Sequence, residues 1–338
     1  MSDENLQICL ASRPKGAPSV DDFDIRRGPK PSPGEGELLL RTRYLSLDPY
    51  MRGRMSDAPS YAEPVPVGGV MVGGTVSVVE ESRHPDFQAG DHVLAMSGWQ
   101  TYAVSNGEGL RKLELPEDRL SLALGALGMP GFTAWWGLNR IGEPKEGETL
   151  VVAAATGPVG SMVGQLAKRA GLRTVGVAGG PEKCAYAVDE LGFDVCVDHR
   201  SEGFAAALGE ACPDGVDVYF ENVGGKVLEA VMPLLNAHAR VPLCGLVAHY
   251  NATSLPEGPD RTPLLLGLLL RKKIRMQGFI IADHFDQFGA FAKDVAAAVL
   301  SGEVKVREDV VEGLESAPEA FIGMLSGKNF GKLVVAVR

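Results

Sequence analysis

In the first third of the chain, apolar residues come in short alternating runs broken by glycine and proline. Glu37 to Leu47, Val70 to Glu80, His92 to Met96 and Gln100 to Val104 read as strands, with Gly68-Gly69, Gly73-Gly74 and Gly90-Asp91 marking turns or bulges between them. That texture predicts a small, irregular barrel or sandwich. From Thr149 the rhythm changes, and strand-like runs alternate with helical stretches. Thr149 to Ala155, Thr174 to Ala178, Val195 to Val197, Val216 to Phe220, Arg240 to Cys244 and Ile274 to Ile281 are the expected strands. Such a series dictates a parallel sheet with helices on both faces. Pro242 counts against the fifth of these strands, because proline has no N–H to give the ladder. Lys332 to Val337 reads as a strand again, suited to return to the first domain.

The stretch Thr149-Leu-Val-Val-Ala-Ala-Ala-Thr-Gly-Pro-Val-Gly-Ser-Met-Val-Gly164 carries the most chemistry. A buried-strand run ends at Ala155-Thr156-Gly157-Pro158-Val159-Gly160 and a helix opens there. Val159, Met162, Val163, Leu166, Ala167 and Ala170 fall on one helical face. Pro158 suits the first turn, where an N–H is not needed. Gly157 permits backbone amides to approach a pyrophosphate at the positive helix end, and Gly160 permits close packing of helix on strand. Ala155 replaces the first glycine of the usual GxGxxG form, so a plain glycine-rich turn is the alternative reading.

A site for NAD usually places a carboxylate at the end of the second strand, on the ribose 2′-hydroxyl. Here that strand ends Val177-Ala178-Gly179-Gly180, and Lys183 follows in the first turn of the next helix. A cation there suits the additional phosphate of NADP, although Glu182 stands beside it.

Length and composition narrow the classes. At 338 residues two domains are expected, and a net charge of −10 argues against a non-specific nucleic-acid binder. The five cysteines form no CxxC pair and are odd in number, which reads as reduced, mostly buried thiols. The start of the chain (Ser2, Asp3, Glu4, Asn5) lacks an apolar signal core, and the longest apolar run, Leu264 to Leu270, is far short of a membrane span. A cytoplasmic location is the resulting expectation.

Six ordered segments resemble the medium-chain dehydrogenase/reductase superfamily. Specifically, they resemble its zinc-independent leukotriene B4 dehydrogenase, prostaglandin reductase and alkenal double-bond reductase branch. They are Leu47-Asp-Pro-Tyr-Met-Arg52, Met129-Pro-Gly-Phe-Thr-Ala134, the turn at 154–160, Tyr219-Phe-Glu-Asn-Val-Gly-Gly225, Cys244-Gly245 through Tyr250-Asn251, and Gly327-Lys-Asn-Phe-Gly-Lys332. The resemblance implies an α/β protein with two domains. A GroES-like β-barrel comprises 1–125 and 305–338, and a Rossmann doubly wound NADP-binding domain spans 126–304, with the active cleft between them. It also implies an NADPH-dependent oxidoreductase of activated C=C bonds, often a homodimer.

Residue by residue, the resemblance assigns Gly157, Pro158, Val159 and Gly160 to the pyrophosphate and Lys183 to the 2′-phosphate. His199 stands where the family has a tyrosine on that phosphate. Asn222 matches a cofactor-contacting asparagine. Cys244, Gly245 and Tyr250, with Phe279, Ile280 and Ile281, match stretches lining the nicotinamide half, and Asn329 matches an asparagine near it. Asn222 and Asn329 have turn-shaping alternatives, and Tyr250 has that of a half-buried packing residue. The zinc-dependent members' Cys and Gly-His-Glu positions correspond to Ser46-Leu47-Asp48-Pro49 and Val67-Gly68-Gly69-Val70. The four-cysteine lobe is missing, and neither His84 nor His92 has a ligand partner at useful spacing, so no metal site is expected. Hydride delivery to the β-carbon of an enone or enal, with Tyr250 as hydrogen-bond and proton donor, is the expected reaction. A quinone reductase, a non-catalytic NADPH-binding protein and an alcohol dehydrogenase are the competing classes. Met51, Arg52, Tyr61, Trp99 and His284 are candidates for shaping the substrate cleft.

Overall fold

The computed structural model describes residues 4–337, so the polar start at Ser2 and Asp3 lies outside them. The chain divides into Met1–Gly125 with Glu308–Arg338, and Ala126–Arg307.

In the first unit, β1 (Glu4–Leu10) and β2 (Phe23–Pro29) pair antiparallel as a separate ribbon. A seven-stranded sheet holds β3 (Leu38–Ser46), β4 (Thr75–Ser82), β5 (His92–Ala95), β6 (Tyr102–Ser105) and β7 (Arg111–Lys112). It is completed from the end of the chain by β14 (Glu308–Glu312) and β15 (Lys332–Ala336). The last strand returns as its pattern suggested: Val335 lies opposite Leu45 of β3, antiparallel, and β14 runs parallel on the other side. The fourth strand starts later than expected, at Thr75. Upstream of it, a methyl group on Gly73 would meet Leu45 Cδ1 at 2.8 Å and Trp99 Cδ1 at 3.1 Å, so the chain there is pressed onto the core rather than paired. That core stacks Phe23 on Trp99, ring centroids 5.6 Å apart, with Phe321 edge-on to both. Between β3 and β4 lies the short helix α1 (Tyr50–Arg54).

The second unit is a parallel sheet of β8 (Thr149–Ala153), β9 (Arg173–Ala178), β10 (Val195–Asp198), β11 (Val216–Phe220), β12 (Leu235–Leu243) and β13 (Arg275–Gly278). Its spatial order is β10-β9-β8-β11-β12-β13, all neighbours parallel. The chain therefore reverses direction across the sheet between β8 and β11, which opens a crevice at their carboxyl ends. The helices are α2 (Met129–Trp136), α3 (Pro158–Arg169), α4 (Pro181–Asp189), α5 (Phe204–Ala211), α6 (Gly225–Val231), α7 (Thr262–Lys272) and α8 (Phe288–Ser301); α9 (Ala317–Leu325) belongs to the first unit. The buried face of α3 is Met162, Val163, Leu166 and Ala167; Val159 is half-buried, and Ala170 is exposed because the helix stops at Arg169.

β12 begins five residues earlier than the apolar run did. His238, at φ +66, breaks the alternation, and that hid the first half of the strand. Pro242 does sit within it, opposite Gln277, and its carbonyl still accepts the Glu221 N–H at 3.0 Å. Among the described residues no helix is long and apolar enough to cross a membrane.

Candidate functional site

The carboxyl ends of the six parallel strands carry nearly all the residues that the sequence singled out in this unit. After β8, Ala154 takes a left-handed conformation at φ +54, and Gly157 caps α3 in an extended one. No side chain caps α3, so its first amides face outward at the positive end of a twelve-residue helix. A methyl on Gly160 would lie 2.2 Å from the Ala154 carbonyl oxygen, so only glycine fits there. Ala155, the departure from GxGxxG, is accommodated because the left-handed residue is its neighbour Ala154. Its methyl also fills the space opposite Gly176, where a second methyl would come within 2.8 Å.

The second strand ends at Gly179-Gly180, and Lys183 lies half-buried in the first turn of α4. The third strand brings His199 and Arg200 over the same turn. A methyl on Gly179 would stand 3.0 Å from both Arg200 Nε and His199 Nε2, and one on Gly180 would stand 3.7 Å from an Arg200 terminal nitrogen. His199 Nδ1 is buried without a partner. Burial holds its imidazole below the usual histidine range, and Lys226 and Arg200 push the same way. His199 and Arg200 thus close over one backbone turn, Lys183 lies in the helix that follows it, and Lys226 of α6 is near enough for its charge to act on His199. Of the nearby carboxylates, Glu182 is exposed in the first turn of α4, and Asp198 accepts the Arg200 and Gly180 amides at 2.8 and 2.9 Å, bonds that hold it below the usual carboxylate range. It is turned onto backbone and does not occupy the place of a ribose-binding acid. Arg200 and Lys226 were not found by sequence reasoning. The one available signal was Arg200 directly following His199 at a strand end.

At the switch point, Asn222 donates from Nδ2 to the Ala153 carbonyl at 2.8 Å, tying the end of β11 to the end of β8. Its predecessor Glu221 is fully buried. The carboxylate accepts from Val223 N at 2.6 Å, Gly224 N at 2.9 Å and the Tyr219 hydroxyl at 2.8 Å. Burial outweighs those bonds and raises its pKa. The main chain of the same segment receives the next loop: Cys244 and Gly245 donate to Glu221 O, Val247 to Asn222 O and Ala248 to Val223 O. That loop carries Tyr250, whose hydroxyl lies 3.2 Å from where a Gly245 methyl would project, beside the Asn222 carbonyl. Tyr250 is half-buried, and burial pushes the Cys244 thiol up to about 12.

Phe279, Ile280 and Ile281 follow β13 and are each half-buried. The Phe279 ring packs on Trp136 at 5.2 Å and edge-on to Phe220, over Gly137. In the first unit, Asn329 donates to the Gly331 carbonyl at 2.9 Å, the bond expected of a loop-stabilising asparagine. Three of the cleft candidates are corrected. Met51 and Trp99 are fully buried in the first unit's core, and Arg52 is buried and donates to the Gly16 and Pro14 carbonyls, so all three serve that unit's own packing. Tyr61 is exposed, and His284 stacks on Trp136 at 3.8 Å. Among the described residues, no three His, Cys, Asp or Glu side chains are grouped to hold a metal ion.

The arrangement fits a dinucleotide with an extra phosphate: open amides at Gly157–Gly160, and a cationic turn beside a half-buried imidazole whose Nδ1 has no partner. Comparison with known proteins agrees. Residues 6–113 match a family model described as the N-terminal domain of oxidoreductase, and 158–297 one described as zinc-binding dehydrogenase. The chain is 59% identical over 334 residues to the NADPH-dependent curcumin reductase of Escherichia coli (strain K12), covering 98% of this chain and 97% of that protein. It is 40% identical to the 2-alkenal reductase (NADP(+)-dependent) of Nicotiana tabacum, over 98% of this chain and 97% of that one. Among solved structures, CurA in complex with NADPH from Vibrio vulnificus superposes with a TM-score of 0.96 at 59% identity, covering 98% and 99% of the two chains.

Proposed function

The chain belongs to the medium-chain dehydrogenase/reductase superfamily, in the branch of the curcumin, prostaglandin and alkenal reductases, and from that premise we propose how its residues carry out the reaction. It is an NADPH-dependent oxidoreductase that reduces activated C=C bonds. The substrate class is α,β-unsaturated ketones and aldehydes, and curcumin, named for the Escherichia coli relative, is the first to assay. The observation that carries the reading is the uncapped amide end at Gly157–Gly160 together with a glycine turn covered by His199 and Arg200, whose neighbour Asp198 is held on backbone amides.

In this reading the amides of Gly157 to Gly160, with Pro158 and Val159 shaping the turn, hold the pyrophosphate, and Lys183 and His199 hold the 2′-phosphate. Asn222, Cys244, Gly245, Phe279, Ile280, Ile281 and Asn329 line the remainder of the cofactor site. In that site NADPH, when bound, would supply the hydride that the β-carbon takes up. Charge then gathers on the carbonyl oxygen, where the Tyr250 hydroxyl donates a hydrogen bond, and Tyr250 or water protonates the α-carbon. Glu221 acts beneath them: its carboxylate fixes the Val223–Gly224 amides, while the backbone of 221–223 anchors the loop bearing Tyr250.

We propose that no metal takes part, because Asp48, near the position of the family's zinc cysteine, is committed to Ser46 and Lys332. A homodimer is supported by β13, an edge strand, and by the exposed Leu264, Leu266 and Leu270 of the adjacent α7. A cytoplasmic location is supported by five unbridged cysteines.

The test is Tyr250→Phe. Loss of a positioned donor should lower kcat about 10²-fold, far more than the few-fold change in Kd for NADPH expected of a residue lining the nicotinamide half. Full turnover at saturating NADPH would remove Tyr250 from the chemistry. Parallel assays with a medium-chain enal and a benzoquinone decide the electrophile class.

A further inference from the structure

The sequence scattered its cysteines, yet the fold brings two of them together. Cys184 sits in the first turn of α4, and Cys196 sits on β10 opposite Gly176 of β9. The two thiols hydrogen-bond to each other, and neither is fully buried. A methyl on Gly176 would stand 3.2 Å from Cys196 Sγ, so that glycine leaves room for the sulfur beside the strand. The turn is also pinned to the strand end: Cys184 N donates to Gly180 O at 3.2 Å, and Gly180 N donates to Asp198 at 2.9 Å. Lys183 immediately precedes one cysteine, and Asp198, His199 and Arg200 follow the other within a few residues.

We propose that Cys184 and Cys196 form a reversible disulfide, a modification site that lies under the cationic turn and lowers affinity for NADPH when oxidised. The effect on NADPH rests on the assignment of Lys183 and His199 to the 2′-phosphate; the disulfide itself does not.

The two thiols have different roles. Hydrogen bonding from Cys196, helped by the Ala178 amide, holds Cys184 below the usual thiol range, whereas donating that bond and burial push Cys196 up. Cys184, in the amino-terminal turn of α4 where the helix end favours a thiolate, is the attacking sulfur. With hydrogen peroxide as oxidant, the Cys184 thiolate takes the distal oxygen, the O–O bond breaks, and hydroxide leaves as water with a proton. The resulting sulfenic sulfur is attacked by Cys196 as its proton is lost; the S–O bond breaks and a second water departs. Two thiols supply the two electrons that reduce one peroxide, and a dithiol reverses the step. Forming the bond draws the first turn of α4 toward β10, moving Lys183 and the Gly180–Asp198 contact from the geometry that aligns the cations.

Trypsin cleaves after Lys183 and Arg200 and leaves both cysteines in one peptide, 184–200. The full-length protein is treated with hydrogen peroxide, blocked with iodoacetamide and digested. The expected result is a 184–200 peptide lighter by two hydrogens and unalkylated, returned to the doubly alkylated form by dithiothreitol. A peptide that stays doubly alkylated after oxidation overturns the proposal. Calorimetry with NADPH on the reduced, oxidised and re-reduced protein should show about a tenfold loss of affinity on oxidation, fully restored by reduction. An oxidised protein that binds NADPH as tightly as the reduced one overturns the regulatory half. The same loss in Cys184→Ser or Cys196→Ala would assign it to another cysteine and overturn it too. Failure of the reduced protein to bind NADPH would instead fall on the cofactor assignment, with the peptide result still deciding the disulfide.

Discussion

Lys332 tests how the end of the chain is held to its beginning. It is 2% exposed, and its ammonium donates to the Leu47 carbonyl and to Asp48 Oδ1, each at 2.8 Å. Asp48 is 5% exposed and also accepts the Ser46 hydroxyl. The pair joins β15 to the segment that leads into α1. Lys332→Met keeps most of the aliphatic stem, which packs against Gly125, but leaves a buried carboxylate and a buried carbonyl without their donor. Removing one partner of such a pair costs about 3–5 kcal/mol. At about 2–4 °C per kcal/mol for a unit of this size, the unfolding transition should fall by roughly 6–20 °C. Scanning calorimetry is the suitable assay, since two units need not melt together and the affected transition has to be identified. Adding Asp48→Asn to Lys332→Met removes the stranded charge, so the double variant should melt above the single one. A shift below about 2 °C, or two single deficits that simply add, would refute the claim that this ion pair holds the strand in place.

Further outcomes follow from the cofactor site. Arg200→Ala should weaken NADPH binding by about tenfold and leave NADH nearly unaffected, read by fluorescence titration with both nucleotides. Gly160→Ala forces a methyl to 2.2 Å from the Ala154 oxygen; it should cost about 1–3 kcal/mol in urea unfolding and abolish measurable NADPH affinity. His199 has a folded-state pKa below its unfolded value of about 6.5, so its contribution to stability is present above that pH and is lost as pH falls through the folded value. The 2′-phosphate favours the charged imidazole, so NADPH binding should strengthen as pH falls toward the folded-state value of His199, and His199→Gln should flatten that dependence in calorimetric titrations.

The Rossmann unit was legible because its physics is local and repeated. A strand buried on both faces reads as an unbroken apolar run, as in Leu150-Val151-Val152-Ala153, and α3 declares itself by its 3.6-residue stripe and Pro158. The strands of the first unit were harder to read. β1 and β2 form a ribbon with exposed and buried positions mixed, and β14 is mostly half-exposed, so neither shows a strong alternation. Cysteine spacing could not reveal the thiol pair either, since the contact depends on how α4 folds back against β10.

The 2′-phosphate cluster shows why sequence order conceals part of such a site. Lys183, His199-Arg200 and Lys226 lie on three different segments, and nothing in their spacing joins them. They meet because parallel strands all end at one edge, so the first residues after each strand become neighbours whatever their separation along the chain. Lys183 was found because it stands at a fixed offset from the glycine turn. Arg200 was missed because the family pattern points to the residue before it. Asp198 completes the logic: a free acid there would oppose a phosphate, and two backbone amides hold its carboxylate on the Gly180 turn instead. The preference for NADPH therefore depends on that carboxylate staying anchored as much as on the cations, and Asp198→Asn, which keeps the acceptor and removes the charge, should leave NADPH affinity intact or improve it. A loss of NADPH affinity beyond that for NADH would show that the negative charge itself organises the turn.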